Sequence, residues 1–257
     1  VGFNAFGSMV QNNMNGVQIS GLANLAGGSM HGVQIGGISN VNGNNLAGLS
    51  VSGLVNITGN KAKGVLITGL SNIAGDNMRG LMMSGIMNIT GDKAAGVQLA
   101  GLANVTGEEY DGLMMSGLLN VVGEEMNGLQ LSGLANVTGG QMNGVQLGLF
   151  NYHKEDMKGL QLGLVNANPQ TKVQLMVFGG NSTKINVGAR FKNKLFYTIL
   201  GGGTHYLDFD DKFSAALFYR AGLELPLYKN LFVSGDLGYQ HIETFRNKKV
   251  EGIPARL

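Results

Sequence analysis

Apolar residues recur along the first two-thirds of the chain in three columns spaced sixteen residues apart. Val17, Val33, Leu49, Val65, Leu81, Val97, Leu113 and Leu129 form the first. Ile19, Ile35, Val51, Ile67, Met83, Leu99, Met115 and Leu131 follow two residues on. Leu22, Ile38, Leu54, Leu70, Ile86, Leu102, Leu118 and Leu134 make the third. A spacing of two is strand spacing, with alternate side chains on one face. A helix is excluded because Gly recurs every five or six residues, each costing about 1 kcal/mol inside a helix. A fixed short period with strand spacing predicts a parallel β-solenoid over residues 1–168, one sixteen-residue unit per coil. About ten such coils, stacked about 4.8 Å apart, give a rod roughly 45–50 Å long. The three apolar columns are assigned to its interior, so Leu102→Asp is expected to disrupt neighbouring coils.

Polar positions share the period. Asn24, Asn40, Asn56, Asn72, Asn88, Asn104, Asn120 and Asn136 form a strict column. Stacked amides hydrogen-bond to one another, so this column is expected to be an internal structural ladder. Three Gly columns, beginning at Gly16, Gly21 and Gly27, are expected at corners. The column between the first two apolar ones reads Gln18, Gln34, Ser50, Leu66, Met82, Gln98, Met114, Gln130 and Gln146. Flanked by columns assigned inward, it is expected to face outward. Its apolar members Leu66, Met82 and Met114 are then a candidate surface for a protein partner. Asp76, Asp92, Glu108, Glu109, Asp111, Glu124 and Glu125 fall in the variable segment after the third Gly, with Lys61, Lys63, Arg79 and Lys93 among them. They read as a solvated edge.

The period ends near Asn168-Pro169, and residues 169–257 alternate over longer strands. Ala215, Leu217, Tyr219, Ala221, Leu223 and Leu225 interleave with Ser214, Ala216, Phe218, Arg220, Gly222 and Glu224. After a turn at Lys229-Asn230, Leu231, Val233, Leu237 and Tyr239 repeat the pattern. Strands of this length, apolar on one face and mostly polar or small on the other, are the signature of an outer-membrane β-barrel. A soluble antiparallel sheet with one wet face alternates in the same way. In the barrel reading, lipid contacts the Leu217/Tyr219/Leu223 and Leu231/Val233/Leu237 faces, while Arg220, Glu224 and Asp236 point inward. Five or six strands are visible, short of a closed eight-stranded barrel.

Composition narrows the function. Only 13% of residues are charged and the net charge is +2, so no basic face for nucleic acid is present. Glycine supplies 43 of 257 residues, but it carries the repeat rather than disorder. Cysteine is absent, which leaves no disulfide framework. The four histidines, His31, His153, His205 and His241, lack ligand spacing. No metal site, cofactor site or catalytic constellation is predicted, and His153 is assigned to a polar loop.

Two shortened units, Gly144–Asn166, read GVQLGLFNYHKEDMKGLQLGLVN. These and units such as Gly128–Asn143 resemble the Gly/Asn-rich surface-repeat proteins of Gram-negative bacteria, notably the Bacteroidota. In that family GLQ-x-G-L-x-N repeats precede barrel-like strands; the sixteen-residue units here carry one more residue before the second Gly. The resemblance implies an outer-membrane or cell-surface location and brings no catalytic residues. Together these readings lead to a non-enzymatic structural or scaffold protein whose solenoid docks a protein partner and whose C-terminal strands meet lipid. The alternative is an adhesive or glycan-binding solenoid. Glycan platforms are usually exposed Trp or Tyr, and the repeat offers only Tyr110 and Tyr152.

Overall fold

The structure, a computed structural model, describes residues 2–193, 195–208, 212–228, 231–246 and 249–256. They are all-β. The chain divides into two compact units, 1–163 and 164–257, against the compositional boundary at 168/169.

The first unit is a parallel β-solenoid. Each coil contributes one long strand, such as Met30–Gly36, and one short strand, such as Ser39–Asn42. Long strands from Gly2–Asn4 to Met157–Leu162 pair in sequence order into one sheet, and the short strands into another. Register is strict: Gly80 pairs with Gly64 and Gly96, and Asn88 with Asn72 and Asn104. Identical residues therefore stack on identical residues, which is how the columns become rows.

The phase of the alternation is the reverse of the one expected. Gln18, Gln34, Gln98, Gln130 and Gln146 are fully or almost fully buried, and so are Leu66, Met82 and Met114 at 0% exposure. Leu66, Met82 and Met114 are thus interior packing residues and are removed from any contact surface. Leu22, Leu54, Leu102 and Leu134 face outward at 43–46% exposure, and Ile35, Ile67, Met83 and Met115 at 37–39%. The first apolar column, beginning at Val17, is half-buried.

The reversal has a physical cause. The apolar core is a column at the start of each long strand: Met30, Leu46, Ala62, Met78, Ala94, Tyr110, Met126 and Met142. Every second residue from there, through the Gly and the Gln to position 20, lies on the same face. Burying Gln and Asn costs little when each amide meets its copy one coil away. The Asn row does so without a break, Asn24 Nδ2 donating to Asn40 Oδ1 at 2.8 Å and so on to Asn136 and Asn151 at 2.9 Å. The second Asn proton is donated to a backbone carbonyl of the next coil, as from Asn24 to Ile35 at 2.8 Å and Asn104 to Met115 at 2.6 Å. In the Gln row the donation runs the other way, from Gln34 to Gln18 at 2.9 Å and from Gln146 to Gln130 at 2.7 Å. His153, expected in a polar loop, pairs in register with Thr138 and is 4% exposed, so it too points inward.

Leu102→Asp, placed on a half-exposed corner, is accordingly expected to cost only about 1–2 kcal/mol, the worth of the apolar area the leucine keeps from water. Chemical denaturation followed by circular dichroism checks it; a loss of several kcal/mol would return that column to the interior.

The second unit holds an antiparallel sheet. Its strands run in the order Lys172–Phe178, Ile185–Asn193, Phe196–Thr204, Lys212–Tyr228, Leu231–Arg246 and Lys249–Arg256, with Leu207–Asp208 added beside Lys212–Tyr228. Two of them reach 17 and 16 residues. Among the described residues the sheet is open, its first and last strands not pairing with each other. The turn expected at Lys229–Asn230 lies outside the described residues.

Candidate functional site

Three surfaces could carry function: the outer face of the rod, its charged edge, and the two faces of the antiparallel sheet. On the rod, the outward positions that follow the Gly of each long strand are apolar, as are most of those on the short strands. The Ile19 and Leu22 columns bracket one corner, and Leu25, Val41, Ile57, Ile73 and Ile89 continue round it on the short strands. No Asp, Glu, Lys or Arg occurs in the stretch 17–26 or its seven repeats through 129–138. Every charged side chain of the sixteen-residue coils falls instead between the third Gly column and the next long strand's Gly. The rod is therefore amphipathic around its circumference. An open groove of about 410 Å³ follows the apolar corner over four coils, lined by Ile67, Met83, Leu99 and Met115 together with Thr68 and Ser84.

Most of the backbone at this corner is paired within the rod. Ile38 N donates to Leu22 O at 2.7 Å, Leu54 N to Ile38 O at 2.8 Å and Leu102 N to Ile86 O at 3.0 Å. The carbonyls of the Ile19 column are taken by the Asn row, Ile35, Val51, Met83 and Leu99 each accepting at 2.8 Å. Sequence reasoning found the row but not this second duty, which depends on where the short strand sits against the long one.

The charged edge is solvated. Lys93 Nζ lies 2.7 Å from Glu109 Oε1, with both side chains about half exposed. The hydrogen bond that Lys93 donates to Glu109 holds its ammonium above the ordinary lysine value, desolvation opposing it. The small contribution of this pair is fully present below the ordinary lysine value and is lost as pH climbs through the raised one. Among the described residues no three His, Cys, Asp or Glu side chains gather to hold a metal ion.

On the antiparallel sheet, side chains sort by face. Leu217 is 72% exposed, Leu237 87%, Leu175 85% and Val177 75%. Leu223, Leu231 and Val233 are also exposed. The opposite face is mixed: Tyr197, Ile199 and Phe218 form a small buried apolar cluster there, and beside it Arg190 and Lys192 both bond to Glu224, which is 8% exposed. Arg220 lies 3.3 Å from Asp236, and the Tyr197 hydroxyl donates to Asp236 at 2.9 Å. The Arg190 guanidinium sits 3.8 Å over the Tyr197 ring. Strand pairing thus joins Arg220 to Asp236, sixteen residues away, and Glu224 to Arg190 and Lys192.

No protein-family model, no curated protein and no solved structure matches the chain.

Proposed function

We propose that this protein is a non-enzymatic structural component of an outer membrane or cell surface, as the resemblance of its repeats to Gram-negative surface-repeat proteins suggests. The antiparallel strands meet lipid and the solenoid serves as a scaffold whose charged edge is presented to a partner. The sorting of the antiparallel sheet carries this reading. It exposes Leu217, Leu237, Leu175 and Val177 while ion-pairing Arg190, Lys192, Arg220, Glu224 and Asp236 on the other face. A water-exposed sheet has the opposite preference, since apolar area out of water is worth about 25 cal/mol per Å². The glycan-binding alternative loses its best platform, because Tyr110 is 1% exposed within the rod and its hydroxyl is 2.7 Å from the Leu113 carbonyl.

Membrane fractionation tests the reading. The intact chain is expected to stay with membranes through carbonate and high-salt washes and to leave only with detergent. Release by either wash alone would sink it.

A further inference from the structure

We infer that the apolar corner of the rod, built by the Ile19, Leu22 and Leu25 columns, seats in the hydrocarbon of a lipid bilayer while the charged edge stays in water. This extends the membrane reading above from the antiparallel strands to the solenoid, and it stands on a separate set of residues. Four observations on the rod favour lipid over any other occupant.

The apolar surface is large. It runs the length of eight regular coils, roughly 40 Å at about 4.8 Å per coil, and turns the corner onto both sheets. That is well beyond the patch expected on a monomer in water. It is also free of charge: not one ionisable side chain interrupts it from Val17 to Thr138, although charges fill the opposite edge. Segregation of this kind is what lets an amphipathic helix lie in a membrane interface, and here a β-rod presents it.

The surface is also repetitive. Shifting it along the rod by one coil superimposes Leu54 on Leu70 and Ile67 on Met83. A protein partner is fixed in register by distinctive anchors such as Trp, Tyr or Arg at the centre of an interface, and the columns offer none. A fluid hydrocarbon phase requires no register. Lastly, lipid tolerates only backbone whose polar groups are satisfied internally. The corner goes most of the way to that condition: the Leu22-column amides are paired coil to coil and the carbonyls of the Ile19 column are taken by the buried Asn row. The Asn row is then the device that allows a turn of the chain to leave water.

The test uses the full chain, which has no native cysteine, carrying one nitroxide-labelled cysteine at a time. Labels go at Leu54→Cys and Leu102→Cys on the corner, at Asn60→Cys and Asp92→Cys on the edge, and at Leu237→Cys in the antiparallel sheet. All five positions are exposed, so the fold is retained, and circular dichroism confirms it for each. The proteins are placed in vesicles of equimolar phosphatidylethanolamine and phosphatidylglycerol. Relaxation is then compared with oxygen, which partitions into lipid, and with a nickel chelate, which stays in water.

Corner labels are expected to respond several-fold more to oxygen than edge labels, with the ranking reversed for nickel. Corner labels that respond to nickel like the edge would overturn the inference. So would corner labels shielded from both reagents, because a protein or a second copy would then cover the face. The Leu237 label reports separately on the antiparallel sheet, so a water-exposed corner beside a lipid-exposed Leu237 refutes the inference and leaves the proposed function standing.

Discussion

Replacing Asn88 by Asp should destabilise the solenoid by about 3–5 kcal/mol, the range for an uncompensated charge in a buried network. Asn88 accepts from Asn72 at 2.9 Å, donates to Asn104 at 2.9 Å and donates to the Leu99 carbonyl at 2.8 Å. An aspartate of the same shape keeps the first bond and turns both others into oxygen facing oxygen. At 0% exposure no water relieves them. Lowering the pH should recover part of the loss, since a protonated carboxyl can donate one of the two missing bonds. Chemical denaturation of wild type and N88D at neutral and acidic pH reads both effects. A shift under about 1 kcal/mol would mean that the row does not hold the coils together.

A second large effect is expected at Gly96. Its φ is +119°, and a Cβ built there lies 2.1 Å from the Gly80 carbonyl oxygen, which belongs to the backbone of the adjacent coil and cannot swing away. Gly96→Val combines the strain of that conformation, of order 1–3 kcal/mol, with a contact that can be relieved only by separating the coils. The summed cost should exceed about 4 kcal/mol, an exceptional value for one substitution. Gly101 provides the internal comparison. A Cβ there lies 2.0 Å from the Gly85 carbonyl oxygen of the adjacent coil, but its φ is outside the left-handed region. Gly101→Val should therefore cost only the contact part. Equal losses at the two positions in the same denaturation assay would show that the backbone conformation at Gly96 adds nothing to the choice of glycine.

The coil and its period were legible because sixteen-residue spacing survives any assignment of inside and outside. The phase was not. Alternation admits two faces, and the rule that apolar residues go inward chose Val17, Ile19 and Leu22 over Gln18. What the rule missed is that stacking copies an amide onto itself, so the Asn row and parts of the Gln row pair internally even though buried hydroxyls such as those of Ser52, Thr58 and Thr68 do not. The sequence does hold a signal for the correct phase. Met30, Leu46, Met78, Met126 and Met142 stand four residues before the Gln column, in phase with it, inside a segment that looked like variable loop. Leu66, Met82 and Met114 carry the same message, since a position that exchanges Gln for Met or Leu within one repeat family is one that packs. In the C-terminal unit the alternation at Ala215–Leu225 was readable as faces. The meeting of Arg190, Lys192 and Glu224 depends on strand register, which no local pattern encodes.

The two buried amide rows also give the rod a direction. Each Asn donates toward the following coil, and its orientation is fixed because its second proton must meet a backbone carbonyl. The Gln row donates toward the preceding coil wherever it is continuous, near the two ends. There the two lines of dipoles oppose and largely cancel. Between them, where Leu66, Met82 and Met114 interrupt the Gln row, only Gln98 opposes the Asn dipoles, donating back to Thr90 at 3.0 Å, and the rest run on in a medium that screens little. The centre of the rod is thus polarised along its axis, positive toward the C-terminal coils, as a helix is by its aligned peptides. An otherwise periodic object acquires a middle that differs from its ends.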